Sequence, residues 1–60
     1  MKTPAEQIAA EANAYAYSVC KSLNVEVTGN PRLDKFNPVF NRAYFSEYNR
    51  LIDSYIARNA

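Results

Sequence analysis

Cysteine and carboxylate side chains are the groups in this 60-residue chain that could support catalysis, because the chain contains no histidine. A thiol becomes reactive when a cation or a helix N-terminus lowers its pKa. Cys20 falls instead near the predicted C-terminal end of a helix, where the helix dipole acts in the opposite direction. Most of the six carboxylates occupy predicted capping or solvent-facing positions and do not form a pair for acid–base chemistry. We therefore expect that the protein is not an enzyme.

Cofactor and metal chemistry have equally little support in the residue types. A single glycine cannot build a glycine-rich phosphate loop. One cysteine without histidine cannot build a zinc site, which draws on several Cys and His ligands. The expectation is that neither a cofactor nor a metal ion takes part.

Aromatic side chains are the more informative group, since the five tyrosines and three phenylalanines make up 13% of the chain. Most recur at helical spacing and are typical of a core. The apolar arc of the C-terminal half is nevertheless roughly 160° wide, more than one alanine-faced helix can cover. An uncovered apolar strip on so small a protein marks an interface, and tyrosine is enriched in interface hot spots. The predicted protein interface comprises Tyr17, Tyr44, Phe45, Tyr48, Ile52, Tyr55 and Ile56.

Basic residues near the middle of the chain suggest a second kind of contact. Arg32, Lys35 and Arg42 are candidates for anion or nucleic-acid contact, because helix N-termini favour anions and nearby aromatic rings can stack on bases. The net charge of only +1 argues against a dedicated nucleic-acid binder. Solvated surface charge is the simpler explanation of these residues.

The first element that must position these residues is a helix predicted over residues 4–23. Thr3 and Glu6 have the spacing of a capping box, with proline in the first turn between them. Six alanines follow within residues 5–16, and alanine is the strongest helix former. The helix should end near Asn24, a residue that tolerates the left-handed conformation found after helix ends.

Asn-Pro occurs twice in the centre of the chain, and each pair predicts the start of a helix. Asparagine is a good N-cap, and proline suits the first helical position. Asn37 therefore begins a long amphipathic helix over 38–58, and Asn30 begins a short helical turn over 31–36. The spacing of Leu33 and Phe36 suggests that their side chains pin this turn onto the helix pair.

Residues 25–28 alternate like a strand, but the chain offers no second strand to pair with. The simpler interpretation is an extended connector with one or both valines on the core. Pairing with a partner's sheet edge is the alternative.

Together these elements predict an all-α fold in one domain, 1–60. In this fold an elbow, which contains the short helical turn over 31–36, joins two long helices as a helical hairpin. So short a chain is marginal alone, and one cysteine allows no internal disulfide. Glu6 and Glu11 interrupt any apolar signal region, and no run is long enough for a membrane span. We expect a cytoplasmic protein that makes no membrane contact.

The functional expectation is a non-enzymatic protein-interaction module. It would act as an adaptor, inhibitor or regulator of a larger macromolecule through the apolar, tyrosine-rich helix face, with homodimerisation as one form of this association. The alternative is a small nucleic-acid- or ribosome-associated binder that uses the basic elbow.

Overall fold

The protein is a helical hairpin, here described from a computed structural model over residues 3–59. Its elements are α1 (Pro4–Ser22), α2 (Pro31–Asp34) and α3 (Pro38–Asn59). Helices α1 and α3 pack against each other, and the short α2 lies in the connection between them. The predicted all-α hairpin is confirmed. The largest difference in bounds is at α2, which ends two residues before the predicted end of the turn.

Each helix begins at a side chain that caps its first backbone N–H groups. Thr3 Oγ1, Asn30 Oδ1 and Asn37 Oδ1 each accept a hydrogen bond from a backbone N–H two or three residues further on, at 2.9–3.2 Å. These bonds satisfy donors that have no partner inside the helix. Both Asn-Pro pairs therefore start helices, as the sequence predicts.

The C-terminal end of α1 is a Schellman motif centred on Asn24, whose φ of 57° lies in the left-handed region. The N–H of Val25 donates to the carbonyl of Cys20 at 2.8 Å, and the N–H of Asn24 donates to that of Lys21 at 3.2 Å. The pair of bonds satisfies carbonyls that the helix leaves open. Val25 also packs on the core, so the end of α1 is held by polar and apolar contacts together.

The core between the two helices is small, and two of its four buried side chains on α1 are alanine. Ala12, Ala16 and Cys20 are fully buried at four-residue spacing, and Phe40 of α3 lies against the last two. Small side chains let helices approach closely but contribute little apolar area each. The buried stripe of α1 is narrow, since Tyr15 and Leu23 at its margins remain exposed.

The apolar side chains along α3 differ in their exposure. Tyr44, Tyr48 and Leu51 are half-buried, whereas Phe45 and Ile56 stay exposed. In the part of the chain that the structure describes, no helix is both long and apolar enough to cross a membrane.

The connection between α1 and α3 differs most from expectation. Leu33 and Phe36 do not pin it to the helices: they are 57% and 78% exposed, and that prediction is wrong. The side chain that turns inward from α2 is Asp34, which is buried. The segment 25–28 is an extended connector without a strand partner within residues 3–59, with Val25 half-buried and Val27 exposed.

Candidate interaction site

The elbow is held to α1 by one buried carboxylate. Asp34 is only 3% exposed and accepts four hydrogen bonds. Two come from Thr28, from its N–H at 2.8 Å and its hydroxyl at 2.9 Å. The others come from the Tyr17 hydroxyl at 2.6 Å and the Gly29 N–H at 3.0 Å. We call these four residues the Asp34 clasp.

The clasp keeps its carboxylate charged despite its position in the interior. Burial acts to raise the pKa of Asp34, but the hydrogen bonds from Thr28, Tyr17 and Gly29 outweigh it and hold the pKa below its ordinary value. Burial and the bond to Asp34 raise the pKa of Tyr17 to about 12. Tyr17 is therefore a neutral donor to a charged acceptor, which is a strong form of hydrogen bond.

The sequence patterns missed the clasp because they give no reason for Asp34 to turn inward. By position it belongs to a solvated basic cluster, and Tyr17 falls on the polar side of α1. The Thr-Gly pair before the Asn-Pro turn was the available signal, since a nearby carboxylate can accept the N–H groups of such a bend. The elbow folds over Tyr17, so this member of the predicted interface is half-buried and bonded within the chain.

Cys20 lies beneath the clasp as a fully buried free thiol. Burial, followed by the negative charge of Asp34, raises its pKa. A buried thiol with a raised pKa is a poor nucleophile. Among residues 3–59, no three His, Cys, Asp or Glu side chains come together where they could hold a metal ion.

A row of aromatic rings runs from the clasp along α3. The ring of Tyr17 meets Phe40 edge-on, with centroids 4.8 Å apart, and Phe40 stacks near Tyr44 at 6.4 Å. Tyr44 in turn lies 5.7 Å from Tyr48 and 5.1 Å from Phe45. Ring pairs at these separations attract each other beyond the area they bury. The row leads from a buried ring at Phe40 to the exposed ring of Phe45.

The exposed continuation of this row forms one side of the hairpin, which we call the tyrosine face. It consists of Tyr44, Phe45, Tyr48, Ile52 and Ile56. Phe45 is 49% and Ile56 59% exposed, and the other three are half-buried. Six of the seven predicted interface residues lie on α3, and five of them form this face. Tyr55 is also exposed and lies one turn from Ile52.

An open groove of about 510 Å³ runs between the tyrosine face and the elbow. Its walls include Asn13 of α1, Arg32 and Lys35 of the elbow, and Tyr44, Phe45 and Tyr48 of α3. Two of the three predicted basic residues therefore lie beside the predicted aromatic interface. We call this the aromatic groove.

Arg42 lies apart from the other two basic residues. It lines a separate groove of about 350 Å³, together with Tyr15, Val19 and Leu23. Arg42 is therefore not part of a single basic cluster at the elbow, because its position on α3 turns it to the opposite side of the hairpin.

These features define a class of protein: a small helical hairpin with a polar clasp at its elbow and an open aromatic groove along one side. Neither protein-family models nor curated proteins nor solved structures match this chain.

Proposed function

We propose that the protein is a non-enzymatic protein-interaction module that binds through the tyrosine face. Its role is that of an adaptor, inhibitor or regulator of a larger macromolecule, and the tyrosine face associates with a protein partner or with a second copy of this chain. The observation that carries the proposal is the exposure of Phe45 and Ile56 on the same side of α3, beside half-buried Tyr44 and Tyr48. A contiguous apolar strip of this kind is typical of a binding surface.

The composition of the face supports binding over simple core packing. Tyrosine and phenylalanine offer large, rigid contact areas and dominate interface energies. The neighbouring rings hold one another in place, so little rotamer entropy is lost when a partner docks. Polar groups at the margin, half-buried Asn13 and exposed Asn49, provide the polar rim that interfaces usually have.

The test uses the tagged chain as bait in an extract of its source cells. Wild-type bait is compared with Phe45→Asp, which places a charge on an exposed position of the tyrosine face. Leu23→Asp is the matched control, because Leu23 is also an exposed apolar residue and lies on the opposite side of the hairpin. Circular dichroism at 222 nm confirms that all three chains keep their helices.

We expect the wild-type and Leu23→Asp baits to retain a protein, which can be a second copy of this chain. The Phe45→Asp bait should fail to retain it. A charge buried without a partner at an interface typically costs a factor of about 100 or more in affinity. Equal retention by all three baits would show that the tyrosine face is not the binding surface.

One observation favours a second candidate, a nucleic-acid binder. Arg32 and Lys35 share the aromatic groove with Tyr44, Phe45 and Tyr48. Cations beside exposed rings can hold a single strand through its phosphates and stacked bases. The net charge of +1 predicts that such binding would be weak.

A labelled single-stranded oligonucleotide, titrated at low and at high salt, tests this candidate. Binding that weakens by roughly an order of magnitude or more between 50 and 200 mM salt, and that Arg32→Ala and Lys35→Ala reduce, supports it. An unchanged anisotropy signal at low salt removes it.

A further inference from the structure

We infer that the occupant of the tyrosine face is a second copy of this chain, docked antiparallel about a two-fold axis to form a four-helix bundle. The inference rests on the proposed function, because it names the partner of the same face. Three observations carry it: the excess surface of the hairpin, the spacing of the strip, and the opposite charges at its two ends.

The first observation is the exposed area. A globular monomer of 6.8 kDa exposes about 4,000 Å² by the usual scaling of surface with mass. This chain exposes 4670 Å². The excess of roughly 700 Å² approaches the ~800 Å² that each partner buries in a standard interface.

The shape of the chain explains this excess. The hairpin extends 38 × 22 × 16 Å, so its Cα atoms form a single layer of two helices. Domains normally bury the apolar stripe of each element between two layers. A second hairpin laid on the tyrosine face supplies the missing layer and enlarges a core whose largest fully buried side chains are Phe40 and Cys20.

The second observation is the spacing along α3. Phe45, Tyr48, Ile52 and Ile56 follow one another at three, four and four residues, which places them on one stripe of the helix. With the two-fold axis near Tyr48, Phe45 of one copy meets Ile52 of the other. The two Tyr48 rings lie at the centre, where interface hot spots usually occur.

The third observation is charge. Arg32 and Lys35 line the elbow end of the aromatic groove. At the opposite end of the hairpin, beyond the residues that line the groove, Glu6 stands in the first turn of α1 and is exposed. Glu6 precedes Asn13, a groove residue, by seven positions, or two helical turns, so both point to the same side.

A two-fold axis across the groove places the acidic end of one copy against the basic end of the other. The elbow end of each copy then faces the open end of the other, and Glu6 meets Arg32 and Lys35 twice in the dimer. Parallel docking would set like charges against each other instead. The charges therefore select the antiparallel arrangement, in the way that charge patterns set the register of helical assemblies.

The first experiment is sedimentation equilibrium of the purified full chain over a range of concentrations. We expect twice the monomer mass at high concentration. Phe45→Asp should raise the dimer dissociation constant by about 100-fold or more, while Leu23→Asp leaves it within about threefold. A monomer at every concentration, or dissociation by Leu23→Asp rather than Phe45→Asp, overturns the inference.

The second experiment tests the orientation by charge reversal. Glu6→Lys is one variant, and Arg32→Glu with Lys35→Glu is the other. Each variant alone should dimerise roughly 10-fold more weakly, since two like-charged contacts replace two ion pairs. An equimolar mixture restores opposite charges at both contacts and should return to wild-type affinity as a heterodimer.

Mixing that gives no gain overturns the antiparallel arrangement. Glu11→Lys is the control for Glu6→Lys, because Glu11 lines a different part of the surface with Arg58 and should leave dimerisation unchanged. A second possible outcome is that the chain is monomeric and that Phe45→Asp abolishes the capture of a different protein. The occupant of the tyrosine face would then not be a second copy of this chain. That same result would leave the proposed function standing.

Discussion

At the scale of single residues, the Tyr17 hydroxyl is the most direct link between the elbow and α1. Tyr17→Phe removes its 2.6 Å bond to Asp34 and keeps the ring on Phe40. The free energy of unfolding should fall by about 1.5 kcal/mol, the value typical of a hydrogen bond to a charged group. Urea unfolding followed at 222 nm measures it.

Tyr15→Phe is the control for this prediction, because Tyr15 is an exposed tyrosine on the same helix outside the clasp. Its removal should change stability by less than about 0.5 kcal/mol, as is usual for surface substitutions. Equal effects of the two variants would mean that the clasp does not stabilise the fold.

The clasp also predicts how stability depends on pH. The pKa of Asp34 is lowered in the folded state, so its contribution is present above the ordinary value of 3.8 and is lost as the pH falls through the lowered pKa. The pKa of Tyr17 is raised to about 12, so its contribution is present below pH 10 and is lost between pH 10 and about 12.

Urea midpoints measured from pH 2 to pH 12 should therefore show a plateau with one acid and one alkaline limb. In Tyr17→Phe the alkaline limb should become shallower, because the group that titrates there is gone. An alkaline limb of unchanged size in this variant would assign it to Cys20 and Tyr44, whose pKa values are also raised.

At the scale of the elements, substitutions at the two ends of the connection should change the stability of the fold in opposite directions. Gly29 has a φ of 87°, and a Cβ added there would meet nothing within 4 Å. Gly29→Ala should therefore destabilise by backbone strain alone, by about 1–2 kcal/mol. Asn24, at φ 57°, lies in the same left-handed region, and Asn24→Gly should stabilise by a few tenths of a kcal/mol. Thermal unfolding of both variants checks the opposite signs.

The alanine stripe of α1 makes a prediction about helix spacing. Ala16 is fully buried against Phe40, so Ala16→Leu forces three extra carbon atoms into the closest part of the interface. Such overpacking typically costs 1–3 kcal/mol. Ala14→Leu, at an exposed position of the same helix, is the control and should leave the urea midpoint nearly unchanged. Equal midpoints for the two variants would contradict close packing at Ala16.

At the scale of the whole molecule, a dimer makes stability depend on concentration. Association stabilises the folded chain by mass action, and a domain of about 60 residues gains roughly 4–8 °C in Tm per kcal/mol. Each tenfold rise in protein concentration should therefore raise Tm by about 3–6 °C. Scanning calorimetry at three concentrations measures the shift, and Phe45→Asp should abolish it. A Tm independent of concentration in the wild type would contradict dimerisation.

The positions of the helices could be predicted because the information for them is local. Thr3, Asn30 and Asn37 cap the residues that immediately follow them, and proline suits the first helical position wherever the chain folds. Asn24 ends α1 for an equally local reason, its tolerance of the left-handed conformation. The hairpin itself follows from two amphipathic stretches joined by a short elbow.

Tertiary structure alone decided three features. These are the clasp, the separation of Arg42 from Arg32 and Lys35, and the exposure of Phe36. Periodicity shows which side of a helix is apolar. It does not show that Tyr17 and Asp34, which are 17 residues apart in the sequence, form a hydrogen bond. Their bond exists because the elbow folds back over α1, which allows one carboxylate to gather four donors. That fold leaves Leu33 and Phe36 in solvent and joins the basic elbow to the tyrosine face. The residue types of the groove were readable from the chain, whereas their meeting on one side depended on the path of the elbow.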